Sequence, residues 1–515
     1  MTKISQADGS YHLNFCHTLQ CYIFATVNLI FFRKMKKILF TIISCAAVAT
    51  AFAGGTNVNT NHATAYLRSV ARGTTLDPDA VYHNPAGASF MKDGFHFSLN
   101  IQEAIQNKKT ISTFDAFAYN VNNSGNPTKE YVGKTFAPVI PSFDLVWKKK
   151  RWAVMASFGI GGGGGSATYQ NGLASFESML AQIPYGVGMA ATGGKQGLPY
   201  SMDMNIKGNS MTFQGQVGVS FRITDWLAVA AQARLSYASK SYNGYLKNIQ
   251  MLNPTTNQMI AAPQFFNAMA SQYQAGAQAG NQEALAAYTQ YMTYAAMTSD
   301  HTLDVKQKGW AVSPVVALMF NHKGWAASVK YEFRSDLDLT TSAAEVSAKD
   351  PVIGNIFPDG GITPADMPAQ LAIAASRTFA DKVTLTLEWH HYFDKKAQNS
   401  YTAAILGNTN EYLAGVEYTI SDKWLVSAGY QYTDYNLNTA LYSDLDFAIN
   451  AHAVGFGFAY NFSEHIRLNA GVMKPFYEQV EKVSTVYNNN SLNLGGKDIF
   501  KNSRWAWGLG VDFHF

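Results

Sequence analysis

The sequence predicts an all-β protein, a transmembrane antiparallel β-barrel of about 14 strands. Many segments alternate large apolar residues with small or polar ones, as in a strand that has one apolar face. The last segment, WAWGLGVDFHF, continues this alternation to the final residue. A soluble β-sandwich also contains strands of this kind, so one hairpin does not separate the two folds. The number and spacing of the segments favour the barrel.

Fourteen alternating segments can be counted, which is an even number. Most of them approach the roughly 9 to 11 residues that a tilted strand needs to cross a bilayer. The predicted strands are residues 94–101, 142–147, 152–160, 212–222, 226–239, 309–320, 325–335, 369–379, 383–393, 411–420, 424–433, 451–462, 465–475 and 505–515.

The connections between these segments alternate between short turns and long loops. Outer-membrane barrels have this asymmetry, with short turns on the periplasmic side and long loops outside. Trp152, Trp226, Trp325 and Trp424 each follow a short turn, where an aromatic girdle at the inner interface is expected. The short turns are predicted at residues 148–151, 223–225, 321–324, 380–382, 421–423 and 463–464.

The composition agrees with a membrane barrel. Among 515 residues, 39 Lys and Arg stand against 35 Asp and Glu, a balance that gives no indication of a nucleic-acid partner. Aromatic residues make up 13% of the chain and charged residues 14%, below the usual charged share of about 25%. Such a chain suits a large lipid-facing surface.

Residues 35–53 are predicted to be a secretory signal peptide. A basic start at Lys36 and Lys37 is followed by an apolar region, and Ala51 and Ala53 form the small-residue cleavage site. The mature protein is then expected to begin at Gly54. Residues 1–34 are interpreted as an upstream extension absent from the mature protein, or alternatively as part of a longer anchor.

Cysteine usage agrees with export. Cys16, Cys21 and Cys45 all precede the predicted cleavage site, so the mature chain is expected to hold no disulfide and no cysteine metal site. After Ala53 no run of 18 apolar residues occurs, so no membrane-spanning helix is predicted. An exported chain of this kind is most simply a bacterial outer-membrane barrel.

Two of the predicted loops contain helical patterns. Residues 262–299 are rich in Ala, Gln and Met and favour helix, and residues 173–192 show a weaker pattern of the same kind. Two interpretations stay open. The helices either shield the mouth of the barrel or form an external apolar groove that captures a hydrophobic ligand.

No motif in the sequence indicates catalysis, a metal or a cofactor. His390 and His391 are adjacent on a predicted strand, so they point to opposite faces and cannot share one metal ion without distortion. No nucleophile elbow or zinc-protease helix is present. We therefore predict no enzymatic activity, no metal and no cofactor.

The run FGIGGGGGSA lies at the end of the third predicted strand. A phosphate-binding loop would continue with Gly-Lys-Ser/Thr, which is absent here. Glycine weakens a strand and permits bulges. The run is therefore either a flexible external loop or a break in the barrel wall.

Residues 80–90, AVYHNPAGASF, come before the first predicted strand. Pro85 fixes one backbone dihedral and keeps Asn84 out of helical conformation, so Asn84, Pro85 and Ala86 are expected to form a turn. The segment from residue 54 to this turn is either a periplasmic tail or a plug folded into the barrel lumen.

The signal peptide, the segment ending in Asn84, Pro85 and Ala86, the 14 strands and the terminal Phe515 together resemble the FadL/TodX family of outer-membrane fatty-acid and hydrocarbon transporters. This resemblance implies an N-terminal hatch at residues 54–93 that contains these three residues, followed by the barrel at residues 94–515. It also implies a kink in the third strand that opens a side passage. The kink residues would be Gly159, Gly161, Gly162, Gly163, Gly164 and Gly165.

The function implied is passive uptake of a hydrophobic small molecule, a long-chain fatty acid or an aromatic hydrocarbon, through a plugged lumen with a lateral exit. Two alternatives stay open: an accessory of a secretion or surface-assembly system, and acquisition of haem or porphyrin. Expected partners are the ligand, outer-membrane lipid and the barrel assembly machinery, for which Phe513 and Phe515 form the C-terminal signal. The protein is expected to be monomeric, and the sequence identifies no ligand-pocket residues.

Overall fold

The structure is a computed structural model that describes residues 62–444 and 447–515. The predicted upstream extension and signal peptide, including Ala51 and Ala53, lie outside the described residues, as does the start of the predicted hatch. The described chain consists of a short N-terminal segment, residues 62–93, and a large barrel. We call residues 62–93 the lumen segment.

Fourteen antiparallel strands form one closed sheet, which confirms the predicted fold class. The last strand pairs with the first from His514 and His96 to Gly496 and Phe114, and this ladder closes the ring. The strands are β1 (Gly94–Phe114), β2 (Thr128–Lys149), β3 (Trp152–Tyr169), β4 (Tyr200–Arg222), β5 (Leu227–Asn253), β6 (His301–His322), β7 (Trp325–Glu332), β8 (Gln370–Phe379), β9 (Val383–Tyr392), β10 (Thr409–Thr419), β11 (Trp424–Asp434), β12 (Ala451–Asn461), β13 (Ile466–Tyr477) and β14 (Gly496–His514).

The two faces of each strand differ as the sequence predicted. Outward side chains are large and apolar, and Leu509 on β14 is 60% exposed. Inward positions carry small or polar residues: Gly510 is buried, and Asp512 accepts hydrogen bonds from Ser98 and Asn469, each at 2.7 Å. An apolar outside around a polar inside is the arrangement of a barrel that crosses a lipid bilayer.

Exposed aromatic rings form two bands on the outer surface. The inner girdle lies beside the short turns, and the outer girdle lies toward the long loops. Inner-girdle residues are Phe95, Trp147, Trp152, Trp226, Trp325, Trp424 and Phe515. Outer-girdle residues are Phe136, Tyr237, Trp310, Tyr412, Phe476 and Trp505. Such girdles mark the two membrane interfaces of outer-membrane barrels.

Several strands are much longer than the sequence predicted. The prediction ended the first strand at residue 101, whereas β1 continues to Phe114, and β5 continues from the predicted end at 239 to Asn253. Residues 106–113, QNKKTIST, are polar on both faces, so the alternation that reveals a strand is lost there. The backbone ladder continues beyond the apolar band because it does not depend on side-chain polarity.

Helices occur in the lumen segment and in the long loops. The lumen segment holds α1 (Thr64–Arg68), α2 (Ala80–His83) and a 3₁₀ helix at Pro85–Phe90. The loops hold α3 (Ala174–Ala191), α4 (Ala262–Gln278), α5 (Gln282–Met297), α6 (Glu345–Ala348) and α7 (Ile353–Ile356). Among the described residues, these helices are all too short or too polar to span a membrane.

Four further strands, Gln258–Ala261, Asp338–Ala343, Ile362–Pro364 and Val480–Ser484, extend the sheet at the end that carries the long loops. Three of the helices follow the predicted loop helices closely, since α3 occupies residues 174–191 and the α4–α5 hairpin occupies residues 262–297. Phe266 of α4 packs against Tyr294 of α5 with ring centroids 5.3 Å apart.

We expect Leu509→Arg to destabilise the barrel in lipid by about 2 to 4 kcal/mol, because an arginine on the lipid face is costly near mid-membrane. Ser503→Arg, on the same strand and face but beyond the outer girdle, should cost only about 0 to 1 kcal/mol. Refolding titrations of both variants into lipid vesicles measure the difference. Equal destabilisation would contradict the assigned position of β14 in the membrane.

Candidate functional site

The barrel wall is interrupted between β2 and β3. Residues 143–149 of β2 pair with residues 152–158 of β3, and residues 133–136 pair with residues 166–169. No pairing joins residues 137–142 to residues 159–165 between these two ladders. We call this interval the wall break. Each of its flanks stays attached to the sheet on the other side, through β1 and β4.

Glycine causes the irregularity on the β3 side. The register between β3 and β4 shifts between Ile160 and Gly162 and again between Gly163 and Gly165, so the strand carries two bulges. Gly163 has a φ of 69°, and a Cβ atom there would collide with the Ser210 carbonyl oxygen. The glycine run is therefore part of the wall, and its conformation at Gly163 excludes larger residues.

Proline contributes on the β2 side. Pro138 and Pro141 lie within the unpaired interval, and neither has a backbone N–H to donate to β3. The pairing of β2 with β1 also shifts register here. Gln102 pairs with Ile140, but Ala104 pairs with Ala137, so β2 carries one extra residue in this interval. These prolines were not predicted to interrupt the strand. Two prolines three residues apart in a strand would have indicated a break independently of the glycines.

Apolar residues of the lumen segment lie directly behind the wall break. Ile160, at the break, is 3% exposed and packs in one cluster with Tyr66, Leu67 and Val70. A Cβ atom at Gly159 would collide with the His62 imidazole. The backbone carbonyl of His62 accepts a hydrogen bond from the Ser142 hydroxyl. The first described residues of the lumen segment therefore close the break from inside.

The predicted hatch residues lie elsewhere. Asn84 is fully buried and donates to the Met319 sulfur, while the Ala86 carbonyl accepts a hydrogen bond from Ser220 at 3.2 Å. Pro85 begins the 3₁₀ helix that packs against β4, β5 and β6. Ser220 and Met319 are near the short turns, so the structure does not bring these three residues together with the glycine run.

A cluster of buried charges attaches the lumen segment to the opposite wall. The Arg72 guanidinium contacts Asp79 at 2.8 Å, Asp77 at 2.9 Å and Glu417 at 3.3 Å. Arg68 also pairs with Glu417, and Arg467 of β13 contacts Asp77 at 3.0 Å. The anchor cluster consists of Arg68, Arg72, Asp77, Asp79, Glu417 and Arg467. Arg68, Arg72 and Asp79 are shielded from water, so removing one member of the buried Arg72–Asp79 pair leaves the other unpaired at a large cost.

Glycine on the wall lets the lumen segment approach β10–β13 closely. Gly415, Gly429 and Gly455 lie side by side on neighbouring strands and face inward. A Cβ atom at Gly429 would lie 2.7 Å from the Val70 backbone nitrogen, and one at Gly455 would collide with the Leu67 carbonyl oxygen. The sequence analysis did not identify this row, although inward glycine on consecutive strands is a signal of close backbone approach.

His390 and His391 point to opposite faces, as predicted. His390 faces the lumen between Glu388 at 2.6 Å and Glu411 at 2.9 Å, and Glu388 also accepts a hydrogen bond from the Gly73 backbone. His391 faces outward and contacts Asn410. Among the residues that the structure describes, no three His, Cys, Asp or Glu side chains are placed to share a metal ion.

The long loops enclose a small apolar cavity on the external side. Its volume is about 40 Å³, too small for an aromatic ring, since a cavity of about 150 Å³ accommodates benzene. A ligand could occupy this place only if the loops moved apart. The cavity is lined by Phe176, Met179, Met204, Ile206, Tyr245, Leu246, Met297, His301, Leu303, Val352, Ile353 and Ile356.

A buried carboxyl group holds α3 in place beside this cavity. Asp444 accepts a hydrogen bond from the Ser175 backbone N–H at 2.8 Å, and burial raises the pKa of Asp444 from 3.8 to about 6. The folded loop therefore favours the protonated form. The packing of α3 should weaken as the pH rises from about 4 to about 6.

Solved structures of two other proteins resemble this barrel. A FadL homologue of Pseudomonas aeruginosa matches with a TM-score of 0.58 at 15% identity, over 90% of this chain and 100% of that chain. The toluene transporter TodX of P. putida matches with a TM-score of 0.50 at 16% identity, over 85% of this chain and 94% of that chain. The chain has the FadL/TodX barrel fold.

The resemblance inferred from the sequence is thereby confirmed at the level of the fold. No protein-family model matches the sequence, and no curated protein is significantly similar to it. The similarity to these proteins therefore lies in the arrangement of the strands and is not detectable in the amino-acid sequence.

We expect Arg72→Gln to release the lumen segment while the barrel stays folded. The substitution leaves the buried Asp79 carboxylate without its cation, a change that costs about 3 to 5 kcal/mol for a buried pair, whereas Glu417 and Asp77 keep Arg68 and Arg467. Hydrogen exchange should become faster in residues 62–93 and remain unchanged in β1–β14. Arg377→Gln is the control, because Arg377 lies on the outer surface over the Trp325 ring. Unchanged exchange in Arg72→Gln would contradict the anchoring role.

Proposed function

We propose that this protein is an outer-membrane channel for passive uptake of small hydrophobic molecules, which leave the barrel sideways through the wall break. The observation that carries the proposal is the unpaired interval between residues 137–142 and 159–165, behind which an apolar cluster lies. Moving a hydrophobic solute into water is unfavourable, whereas moving it from one apolar environment to another costs little free energy. A lateral exit into lipid meets this requirement.

The lumen beneath the wall break supports the sideways route. A solute that continued toward the short turns would meet the anchor cluster, in which Arg72, Asp77 and Asp79 are held together by ion pairs. Passage through that region would separate buried charges without compensation. The apolar surface formed by Ile160, Tyr66 and Val70 offers a path of lower cost toward the membrane.

The comparisons support the same class of function. One protein with this fold is a toluene transporter. Transport of hydrocarbons by this chain is our inference from the shared fold and from the wall break, and a long-chain fatty acid, which has an apolar tail and a carboxyl head, is the second class of solute that we propose. In our scheme the solute first binds near the external apolar cavity and then enters the lumen, after which residues around His62 move away from Gly159.

Movement of this kind needs no energy source. Binding has only to favour the arrangement in which the break is open. Asn84, Pro85 and Ala86 are packed against β4–β6 near the short turns, whereas His62 lies against Gly159 at the break and is stacked on Tyr82. The segment around His62 is therefore the part whose movement would open the break. We therefore place the moving part of the lumen segment at the residues around His62 and the fixed part at the anchor cluster and the 3₁₀ helix.

A reversible disulfide across the wall break tests the lateral route. Ala137 and Gly165 are suitable positions, because a Cβ atom at Gly165 would lie 3.6 Å from the Ala137 Cβ, within the usual range for a disulfide. The chain after residue 53 contains no cysteine that could compete. With Ala137→Cys and Gly165→Cys combined, uptake of labelled toluene or a labelled fatty acid should fall when the bridge forms and recover under reductant.

The two single-cysteine variants are the controls, since neither can form the bridge. A second variant, Gly161→Val with Gly165→Val, fills the break without a disulfide. It requires the Gln214 and Thr135 side chains to shift, and it leaves Gly163 unchanged because a side chain there would collide with the Ser210 backbone. The amount of folded barrel is measured by heat-modifiable migration in gels. Uptake that continues at the original rate through both the folded, bridged barrel and the folded double-valine barrel would rule out the lateral route.

We also propose that the mature protein begins at Gly54, after export and cleavage behind Ala53. The support is the basic start, apolar region and small-residue site at residues 35–53. N-terminal sequencing of the protein from isolated outer membranes should give GGTNVN. Recovery of residues 1–34, or of a lipid attached to Cys45, would contradict this proposal.

A further inference from the structure

Glu103 places a carboxylate on the lipid-facing side of β1. Its neighbours along the strand, Gln102 and Ala104, are buried on the inner face, whereas Ile101 and Ile105 are 49% and 38% exposed on the outer face. Glu103 therefore projects outward between two isoleucines, and on β14 it lies opposite Trp507, which is also exposed. The carboxylate lies within the apolar band, just below the outer girdle.

Among the described strands, Glu103 is the one acidic side chain at an outward position between the two girdles. The outward cations nearest to the band lie on girdle rings, with Arg377 over Trp325 at 4.9 Å and Lys474 over Trp505 at 4.4 Å. At an interface such groups reach water or headgroups. Glu103 lies between apolar neighbours, and no hydrogen bond or ion pair joins its carboxylate to a described residue.

A charged group in a membrane segment is costly and generally has a function. The position of Glu103 relative to the wall break indicates which function. The register shift between β1 and β2 places Glu103 opposite Pro138 and Val139, which belong to the β2 flank of the break. Adjacent strands are about 4.8 Å apart. A solute leaving between β2 and β3 therefore emerges within about two strand spacings of this carboxylate.

We propose that Glu103 is a charge filter at the lateral exit, which favours uncharged hydrophobic solutes over ionised carboxylic acids. The proposal rests on the proposed lateral route. At the exit, lipid and protein replace water, so repulsion between two negative charges is much stronger than in solution. A hydrocarbon or an alcohol passes Glu103 without this repulsion, whereas a carboxylate meets it at the step where it loses its water.

The filter is tested by comparing two probes of equal length, a labelled long-chain alcohol and the corresponding carboxylate. Uptake is measured in cells that carry the full-length protein, at a pH well above the pKa of a free carboxylic acid. Glu103→Gln should raise the ratio of carboxylate to alcohol uptake about tenfold, an effect expected for one removed charge about 10 Å away. Glu103→Lys should raise the ratio further. Alcohol uptake should stay constant in both variants.

Leu387→Lys is the matched control for Glu103→Lys. Leu387 is a lipid-facing residue of β9, far from the wall break in the order of strands, and is 68% exposed just below Trp389. Leu387→Lys should leave the ratio of carboxylate to alcohol uptake unchanged. Heat-modifiable migration in gels reports whether Glu103→Gln, Glu103→Lys and Leu387→Lys are folded. If the unmodified protein takes up neither probe, the proposed function fails. If it takes up the alcohol but neither Glu103 variant changes the ratio, the charge filter is wrong.

Discussion

Backbone hydrogen bonding around a closed ring is the constraint on which the rest of this structure depends. In hydrocarbon an unpaired N–H or C=O group is costly, so strands cross a membrane only when every neighbour is paired. The ladder between β1 and β14 meets this condition by joining the two ends of the sheet. The wall break departs from it locally. The residues of the wall break limit the free-energy cost of unpaired backbone groups. Pro138 and Pro141 have no N–H group to leave unpaired, and the glycines allow β3 to turn away from β2.

The same constraint explains which parts of the fold can be predicted from the sequence. Between the girdles, hydrogen bonding and side-chain burial coincide, so apolar alternation located all 14 strands and their short turns. Beyond the outer girdle the extension of β1 is polar on both faces and the extension of β5 has no regular alternation, so neither was predicted. The extension of β4 at residues 200–207 does alternate apolar and polar residues, and this signal was missed. Local composition also indicated the helices α3, α4 and α5, because Ala, Gln and Met favour helix wherever the segment lies.

The site was predictable only in part. The glycine run indicated an irregular β3, but its meaning depended on partners that are distant in sequence. His62 and Gln214 lie against Gly159 and Gly161, and no local pattern reveals such contacts. The anchor cluster is similar, because Arg72 and Glu417 are ordinary charged residues until the fold brings them together. The lumen segment therefore combines a region held by charge with a region held by apolar contacts at the wall break.

The long strands described above determine where a solute first meets the protein. β5 continues from Tyr237 in the outer girdle to Asn253. At about 3.3 Å per residue and a tilt of about 40°, this extension raises the rim roughly 40 Å above the girdle. The polar surface layer of a membrane is much thinner, about 5 to 8 Å on each side. The barrel thus forms a tall collar whose mouth lies in open solvent, so a hydrophobic solute can bypass the hydrated surface layer inside the protein.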